Sequence, residues 1–411
     1  MDPASSTSEI KSWIKVALAN EHLTDFTLNI LGNSVKGDGY MGDIVFVNLL
    51  GETEDHKSKK YDLVLKCGKK SQALRDSIPV KETYENEIYL YDQVFPAFTQ
   101  FQLEKGLEKV FDSVPKCYGT YVGPAMEVLV LENLKVRGYE LYDRRQPLTI
   151  DHINLIVSEY GKWHAISAAM QDQQPEKFKK LLSGIKNLWG KYGDSMDINK
   201  MFTSPIDEIY ELVKEDIDRS TAEKLKNFKN QIPYIVNELI YKQNYFSVIT
   251  HGDNWNNNFL FQYENSDKSI PRKVAMLDWQ ISGFCSPVTD LSYFIYSCVS
   301  REDLKKFDDI LKVYYESFSN FLWKMGGNPE KMFSYPQLMA DWKIFAKFGI
   351  MMAFLVVKIA VSDQDEVADI AETIEKGHDV TDTFVYDIKD KLLLKNRLLC
   401  IVEHIVERDL I

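Results

Sequence analysis

The sequence predicts an α+β protein of two lobes, with a strand-rich front, a helix-rich back and one connection near residues 132–138. Alternating apolar residues separated by turn formers prevail up to about Leu134, whereas long helical patterns begin at about Thr149. The chain has 411 residues, of which 45% are hydrophobic, enough for two such lobes. We therefore predict an N-lobe at 1–134, a C-lobe at 135–411, and a site in the cleft between them.

The predicted N-lobe begins with a helix, because Ser6 and Glu9 have the spacing of a capping box before a helical apolar stripe. The segments TLNIL and DIVFVNLL flank a glycine-bearing turn and YDLVLKC returns after a polar loop, which indicates an antiparallel sheet. We expect a helix over Glu82–Val94 that ends before Pro96, because the residue before a proline disfavours helix. GPAMEVLVLENL reads as one further strand.

In the predicted C-lobe, DHINLIVSEYGKWHAISAAM is an amphipathic helix, and NFLFQY and KVAMLDWQ form a hairpin. The run GIMMAFLVV is expected chiefly in the core, with a share in an apolar substrate pocket as the lesser alternative. It is too short to span a bilayer, and the N-terminal segment lacks the apolar run of a secretory signal.

Charge and cysteine usage exclude several classes of partner. The net charge of -12 argues against broad binding to nucleic acid or to an anionic membrane, because both need a basic surface. The five cysteines are widely spaced and odd in number, which predicts neither a zinc site nor a disulfide framework. We expect a cytoplasmic protein with no obligate protein partner, in which any phosphate is held by a few local groups.

A glycine motif lies between the first two predicted strands. Gly37, Gly39 and Gly42 match G-x-G-x-x-G and run from strand into strand, as in a loop folded over phosphates, whereas a dinucleotide fingerprint runs into a helix. The missing Cβ atoms let backbone N–H groups approach phosphate oxygens. An ordinary hairpin turn is the alternative.

Two charged residues follow in the order that kinases use. Lys66 lies inside the apolar strand LVLKC, which is costly unless the ammonium meets an anion. Glu87 lies in the next predicted helix, and in kinases such a pair holds the lysine against the α- and β-phosphates of the nucleotide. Singly, each residue is more simply a solvated strand or helix position.

The segment HGDNWNNNFLF carries the most specific signal. Asp253 and Asn258 have the D-x-x-x-x-N spacing in which the aspartate receives a hydroxyl proton and the asparagine binds magnesium. The predicted hairpin returns Asp278 beside Asn258, and oxygen ligands of this kind together with ATP phosphates suit Mg²⁺. A polar hairpin end explains one of these residues but poorly explains all three.

Other residues near this segment have simpler alternatives. His251 is expected to brace the loop by hydrogen bonding, and Asp290 to cap a helix and reach back toward that loop, with simple helix capping as the alternative. His164 is expected to be a satisfied core histidine. Packing is the expected role of Trp163, Trp255 and Trp279.

Together, HGDNWNNNFLF, LDWQ with SPVTDLSY, YENEIYLYDQVFP, LVLENL and KWHAIS resemble the ecdysteroid kinase-like (CHK kinase-like) family, which is related to choline and aminoglycoside kinases. The resemblance covers about residues 25–330. It implies a protein-kinase-like bilobal fold and ATP-dependent phosphorylation of a small-molecule hydroxyl, in some members that of an ecdysteroid.

The resemblance also implies roles for individual residues. Asp253 would be the catalytic base, Asn258 and Asp278 the Mg²⁺ ligands, and Lys66 with Glu87 the phosphate-anchoring pair. The backbone from Glu132 to Leu134 would contact the adenine of ATP, although Asn133 stands where the family more often has Asp.

Two departures from protein kinases bear on the substrate. His-Gly-Asp replaces His-Arg-Asp, and only a short stretch separates Asp278 from TDLSYF, which leaves no room for a peptide-docking activation segment. We therefore expect a small alcohol as substrate, bound by the C-terminal helices. A cationic alcohol such as a choline or an aminoglycoside, and a pseudokinase that binds without transferring phosphate, are the alternatives.

Overall fold

The N-lobe is built on an antiparallel sheet, as predicted. The computed structural model describes residues 6–33, 42–242, 245–264 and 267–411. The five strands pair in the order β1-β2-β3-β5-β4. They are β1 (Leu23–Asn33), β2 (Gly42–Thr53), β3 (Ser58–Gly68), β4 (Cys117–Gly123) and β5 (Met126–Glu132). The strand expected over GPAMEVLVLENL is thus observed as β5. Its hairpin partner, β4, was not predicted from the sequence.

Helices accompany this sheet in the N-lobe. They are α1 (Thr7–Ala17), α2 (Gln72–Ser77), α3 (Val80–Tyr89) and α4 (Phe95–Glu104). The capping box of Ser6 and Glu9 is formed, so the first predicted helix is confirmed. Ile10, Trp13 and Ile14 of α1 are buried with sheet residues in a separate N-lobe core.

The helix predicted to end before Pro96 does not end there. A π-helical turn, Leu90–Val94, joins α3 to α4, and Pro96 lies in the first turn of α4. Proline is tolerated in a first turn because its missing N–H is not needed for an internal hydrogen bond. The helical path therefore continues through the wider π-helical turn and beyond Pro96.

The C-lobe contains two small sheets, ordered β6-β8-β9 and β10-β7. The strands are β6 (Tyr139–Leu141), β7 (Val248–Ile249), β8 (Phe259–Tyr263), β9 (Pro271–Met276) and β10 (Phe284–Cys285). Phe259 pairs with Met276, which confirms the predicted hairpin, and the Leu277 N–H donates to the Asn258 carbonyl at 2.8 Å.

Helices make up most of the C-lobe. They are α5 (Ile150–Gln173), α6 (Pro175–Leu182), α7 (Leu188–Ser195), α8 (Ile198–Val213), α9 (Arg219–Lys229), α10 (Ile232–Asn237), α11 (Pro287–Cys298), α12 (Arg301–Leu304), α13 (Phe307–Lys324), α14 (Pro329–Met332), α15 (Tyr335–Val361), α16 (Ile370–Glu375) and α17 (Lys391–Glu407). Helix α5 packs on α13, and α11 packs on α15, around the larger core. The predicted α+β, bilobal fold is confirmed, while the boundary at residues 134 and 135 stays a prediction.

Helix α15 contains the GIMMAFLVV run. By length and composition alone, one stretch among the described residues, Pro329–Val361, could cross a membrane, which the nine-residue run did not suggest. Within that stretch, 89% of the most apolar window is buried inside the protein. All nine residues of the run are buried, as expected of a core helix.

Candidate active site

Lys66 joins the two lobes. Its Nζ donates to Glu87 Oε2 at 2.6 Å and to Asp278 Oδ1 at 2.8 Å, so β3, α3 and the end of the C-lobe hairpin meet at one ammonium group. Burial alone would lower the pKa of Lys66, but the charges of Asp278 and Glu87 outweigh it and raise that pKa above its usual value. The lysine is therefore held as a cation within the cleft.

Asp253 lies on the loop between β7 and β8, with both carboxylate oxygens hydrogen-bonded. Tyr293 Oη donates to Oδ1 at 2.9 Å, and Asn258 Nδ2 donates to Oδ2 at 2.7 Å. Burial, and then the negative charge of Asp278, raise the pKa of Asp253 to about 6. A carboxyl group with this pKa can accept a proton near neutral pH.

The β8–β9 hairpin places Asn258 and Asp278 at its base, on adjacent arms. Asn258 Nδ2 also donates to the Asp253 carbonyl at 3.0 Å, which leaves its Oδ1 as the atom able to bind a cation. Asp278 has a φ of 63°, in the left-handed region that few residues other than glycine adopt. This conformation turns the chain immediately after β9, at the residue that pairs with Lys66.

Asp290 braces the loop rather than capping its helix. The N-cap of α11 is Ser286, whose side chain accepts from the Val288 N–H. Asp290 accepts from the N–H groups of His251 at 2.7 Å and Gly252 at 3.0 Å. It also accepts from Asn254 Nδ2 at 2.8 Å and lies 3.1 Å from His164 Nε2. The capping alternative is therefore wrong, and the bracing alternative describes the contacts.

His164 serves this brace from the core. Its other nitrogen, Nδ1, lies 3.1 Å from Tyr314 Oη, and the ring is fully buried, so the expected satisfied core histidine is observed. Burial alone would raise the pKa of Asp290, but the hydrogen bonds from the His164 side chain and the His251 backbone keep that pKa below its usual value. Asp290 is thus a buried anion whose four contacts are made by donors.

His251 braces the loop from within, as expected. Its Nε2 donates to the Leu277 carbonyl at 2.9 Å, and its Nδ1 accepts from the Asp253 N–H at 3.2 Å. This pattern requires the neutral ring protonated on Nε2, and burial lowers the pKa of His251 to about 4. The histidine thereby fixes the backbone of Asp253 relative to that of Asp278.

Gly252 explains why this loop reads His-Gly-Asp. Its φ is +93°, and a Cβ atom there would lie 2.3 Å from the Ile281 carbonyl oxygen. Every other residue type would meet both the strained backbone and this oxygen. The close approach of residues 252 and 281 therefore demands glycine.

Asn86 is a site residue that the sequence analysis missed. Fully buried beside Glu87, it donates from Nδ2 to the carbonyls of Gln280 and Ser282, both at 3.0 Å, and its Oδ1 accepts from the Lys186 N–H at 2.9 Å. One carboxamide thus links α3 to the segment after Asp278 and to the segment between α6 and α7. The only signal in the sequence was a polar residue on the apolar side of a helix.

The cleft above these residues holds about 1040 Å³, including its open mouth. Its two sides are apolar: Val64 lies on the N-lobe side and Leu260 on the C-lobe side. Gly42, Glu132 and Leu134 line it as well, whereas Gly37 and Gly39 lie outside the described residues. A Cβ atom on Gly42 would collide with Tyr84 Oη, so this glycine is needed for packing against α3.

A second cavity, of about 1030 Å³ including its open mouth, is lined in part by Gly252. Its described lining contains four aromatic side chains and one charged residue, Lys186, with no carboxylate among them. The aromatic residues are Trp189, Tyr241, Phe284 and Phe348. Phe348 packs edge-on against Tyr293, the residue that donates to Asp253. This second cavity is therefore connected to the Asp253 carboxylate through Phe348 and Tyr293.

The donor set fits a nucleotide polyphosphate with Mg²⁺. Among the described residues no group of three or more histidine, cysteine or acidic side chains could hold a metal ion. Asn258 and Asp278 could supply one amide and one carboxylate oxygen, and Mg²⁺ commonly binds through one or two such groups together with phosphates and water. Lys66 supplies the cation that phosphates need, within this cleft.

The fold and the site together define a small-molecule kinase of the bilobal class. Only residues 279–286 separate Asp278 from α11, so no peptide-docking segment follows the hairpin. The model of the ecdysteroid kinase-like family matches residues 36–327, more than half of the chain. The chain belongs to the ecdysteroid kinase-like family.

Solved structures and curated proteins add little to this assignment. The chain is similar to a GDP complex of an aminoglycoside 2'-phosphotransferase-IIIa mutant, with 12% identity, a TM-score of 0.44, and coverage of 98% of this chain and 99% of that chain. It is also similar to glucosamine kinase in complex with glucosamine, ADP and inorganic phosphate, with 10% identity, a TM-score of 0.32 and full coverage of both chains. No curated protein matches the chain.

Proposed function

We propose that this kinase uses ATP and Mg²⁺ to phosphorylate the hydroxyl of a small apolar molecule, an ecdysteroid or another apolar alcohol. The observation that carries the proposal is the meeting of Lys66 with both Glu87 and Asp278, while Asn258 bonds Asp253 at the base of the same hairpin. A protein that only bound a ligand would not need both sets of contacts.

Each residue has a distinct task in this proposal. Bound Mg·ATP supplies the phosphoryl group, and the metal ion offsets its negative charge. Lys66, fixed by Glu87, binds phosphate oxygens, while Asn258 and Asp278 hold the ion. Asp253 accepts the proton from the substrate hydroxyl, whose oxygen forms the new bond to phosphorus as the bond to ADP breaks. The backbone from Glu132 to Leu134 contacts the adenine.

The second cavity supports an apolar substrate over a cationic one. Its described lining carries Lys186 and no carboxylate, so a cationic amine bound there would find no ion-pair partner and would be favoured only by contact with the aromatic rings. An apolar ring system buried against these side chains would gain hydrophobic free energy without needing an ion pair. We propose that the acceptor alcohol binds there, with its hydroxyl directed to Asp253.

Mass spectrometry tests the activity directly. The purified protein is incubated with Mg·ATP and a tissue metabolite extract, and products heavier by one phosphoryl group are sought. Asp253→Asn is the matched control, because it removes the base and keeps the shape, and its rate should fall by about 10²- to 10⁴-fold while Mg·ATP still binds. Normal turnover by this variant would contradict the assignment of Asp253.

A panel of alcohols tests the substrate class. Steroid alcohols and amine alcohols are compared by ADP release, and faster turnover of the amines would contradict the apolar assignment. Failure of Mg·ATP to raise the melting temperature would favour the pseudokinase alternative. We also propose a cytoplasmic location, which is consistent with the five free cysteines.

A further inference from the structure

Gln280 carries an unpaired, buried donor at the nucleotide cleft. The residue is only 7% exposed, and its Nε2 has no hydrogen-bond partner within the part of the chain that the structure describes. Gln280 is one of the residues that line the cleft, together with Lys66 and Asp278. A buried amide without a partner loses its hydration and gains nothing in return, so it destabilises the protein when no ligand is bound.

The backbone around Gln280 is well fixed, so the unpaired amide is not the result of a loose segment. The Gln280 carbonyl accepts from Asn86 Nδ2 at 3.0 Å, and the preceding Trp279 N–H donates to Glu87 Oε1 at 3.2 Å. Two nearby side-chain NH₂ groups are paired, since Asn258 and Asn254 both donate to aspartates. Gln280 is thus held by α3 on its backbone side while its Nε2 stays unpaired.

The chemistry of the unpaired atom selects its ligand. An N–H group needs an acceptor, and a metal ion would instead need the amide oxygen. The carboxylates of Glu87 and Asp278 already accept from Lys66. Phosphate oxygens are strong acceptors, and a neutral amide donor binds them without further charge in the cleft.

We propose that Gln280 Nε2 donates a hydrogen bond to a phosphate oxygen of the bound nucleotide, a proposal that rests on the nucleotide-dependent function above. The stability lost to the unpaired amide in the free protein is recovered when the nucleotide binds. Gln280 would then be a further phosphate-binding residue beside Lys66, placed by Asn86.

Gln280→Leu tests the proposal, because leucine fills similar space and carries no donor. Without ligand, the variant should melt about 1–3 °C higher than the wild type, since an unsatisfied buried group is removed. Its Kd for the magnesium complex of a non-hydrolysable ATP analogue should rise by about tenfold or more, whereas its Kd for AMP should change less than twofold. Gln262→Leu is the matched control, because that amide already donates to the Arg137 carbonyl at 2.7 Å on the surface.

Gln280→Glu separates a donor from a metal ligand. It replaces Nε2 with an oxygen and adds a negative charge, so affinity for the magnesium–ATP analogue should fall further than in Gln280→Leu. Equal or tighter binding by this variant would mean that residue 280 binds the metal ion, and would overturn the proposal.

Three results for Gln280→Leu would also overturn it. These are unchanged affinity for the ATP analogue, an equal loss for AMP, and a lower melting temperature without ligand, which would show that the amide already has a partner. A wild-type protein that does not bind the ATP analogue would instead refute the proposed function itself, so the two failures can be distinguished.

Discussion

The Gly252→Ala substitution tests whether the loop before Asp253 owes its shape to a missing side chain. Gly252 has a φ of +93°, and the new Cβ would lie 2.3 Å from the Ile281 oxygen, well inside contact distance. The obstacle is a backbone atom, which a rotamer change cannot move. The Gly252 N–H donates to Asp290 at 3.0 Å, so a shift of the loop would also disturb the brace.

Two costs add up in this variant. A left-handed backbone costs a residue with a side chain roughly 1–2 kcal/mol relative to glycine. The collision with the carbonyl adds about 1–3 kcal/mol, the usual cost of overfilling a packed site. We therefore expect Gly252→Ala to lower the free energy of unfolding by about 2–5 kcal/mol.

Two alanine controls separate these costs in urea unfolding. Gly106 has a φ of +75° with nothing within 4 Å of a new Cβ, so Gly106→Ala should cost only about 1–2 kcal/mol. Gly193 lies in α7 with open space around it, and Gly193→Ala should stabilise by about 0.5–1 kcal/mol. If Gly252→Ala costs no more than Gly106→Ala, the close approach to Ile281 does not constrain the loop, and the explanation of His-Gly-Asp is refuted.

Three further predictions concern the charges of the site. The raised pKa of Asp253 means that ionising this carboxyl group lowers the stability of the folded protein, a cost that is absent below the unfolded pKa of 3.8 and complete above about pH 6. Asp253→Asn should therefore stabilise the protein at pH 7 by up to about 3 kcal/mol but not at pH 3.5. Urea unfolding measures both effects, and equal effects at the two pH values would contradict the prediction. As a base, Asp253 must be deprotonated, so kcat/KM should fall as the pH falls through about 6. Tyr293→Phe removes a donor to the carboxylate and should move this acidic limb of the pH profile to higher pH. A limb that does not move would exclude Asp253 as its source. Asp290→Asn should cost about 3–5 kcal/mol of stability, because its new NH₂ group would face N–H donors, and a loss below 1 kcal/mol in urea unfolding would show that the brace is dispensable.

Local patterns predicted part of the geometry of the candidate active site. Lys66 was conspicuous because a charge inside an apolar strand needs a partner, and the hairpin that pairs Phe259 with Met276 followed from two alternating runs and a polar turn. For residues close in sequence, such as Asp253 and Asn258, the spacing alone indicated a joint chemical role. The end of the helix predicted before Pro96 was misplaced, because proline usually ends a helix. A π-helical turn next to a proline is rare.

Contacts between distant segments escaped the sequence analysis. Asn86 bonds Gln280, Ser282 and Lys186, and Gln280 lacks a partner at its Nε2 among the described residues. Neither the bonds of Asn86 nor the missing partner of Gln280 leaves a periodic pattern in the sequence. Each depends on which backbone groups the packed lobes bring within about 3 Å.

The sequence by itself determined the two-lobed α+β layout and the candidate residues for phosphate, metal and proton transfer, because periodicity and short spacings act within one or two elements. Only the tertiary structure decided that Lys66 joins Glu87 to Asp278 and that Asp290 braces the loop. It also decided that no carboxylate is among the described residues lining the second cavity. Those outcomes depend on burial and on contacts between separate elements, up to 212 residues apart in the case of Lys66 and Asp278, which follow from how the whole chain packs.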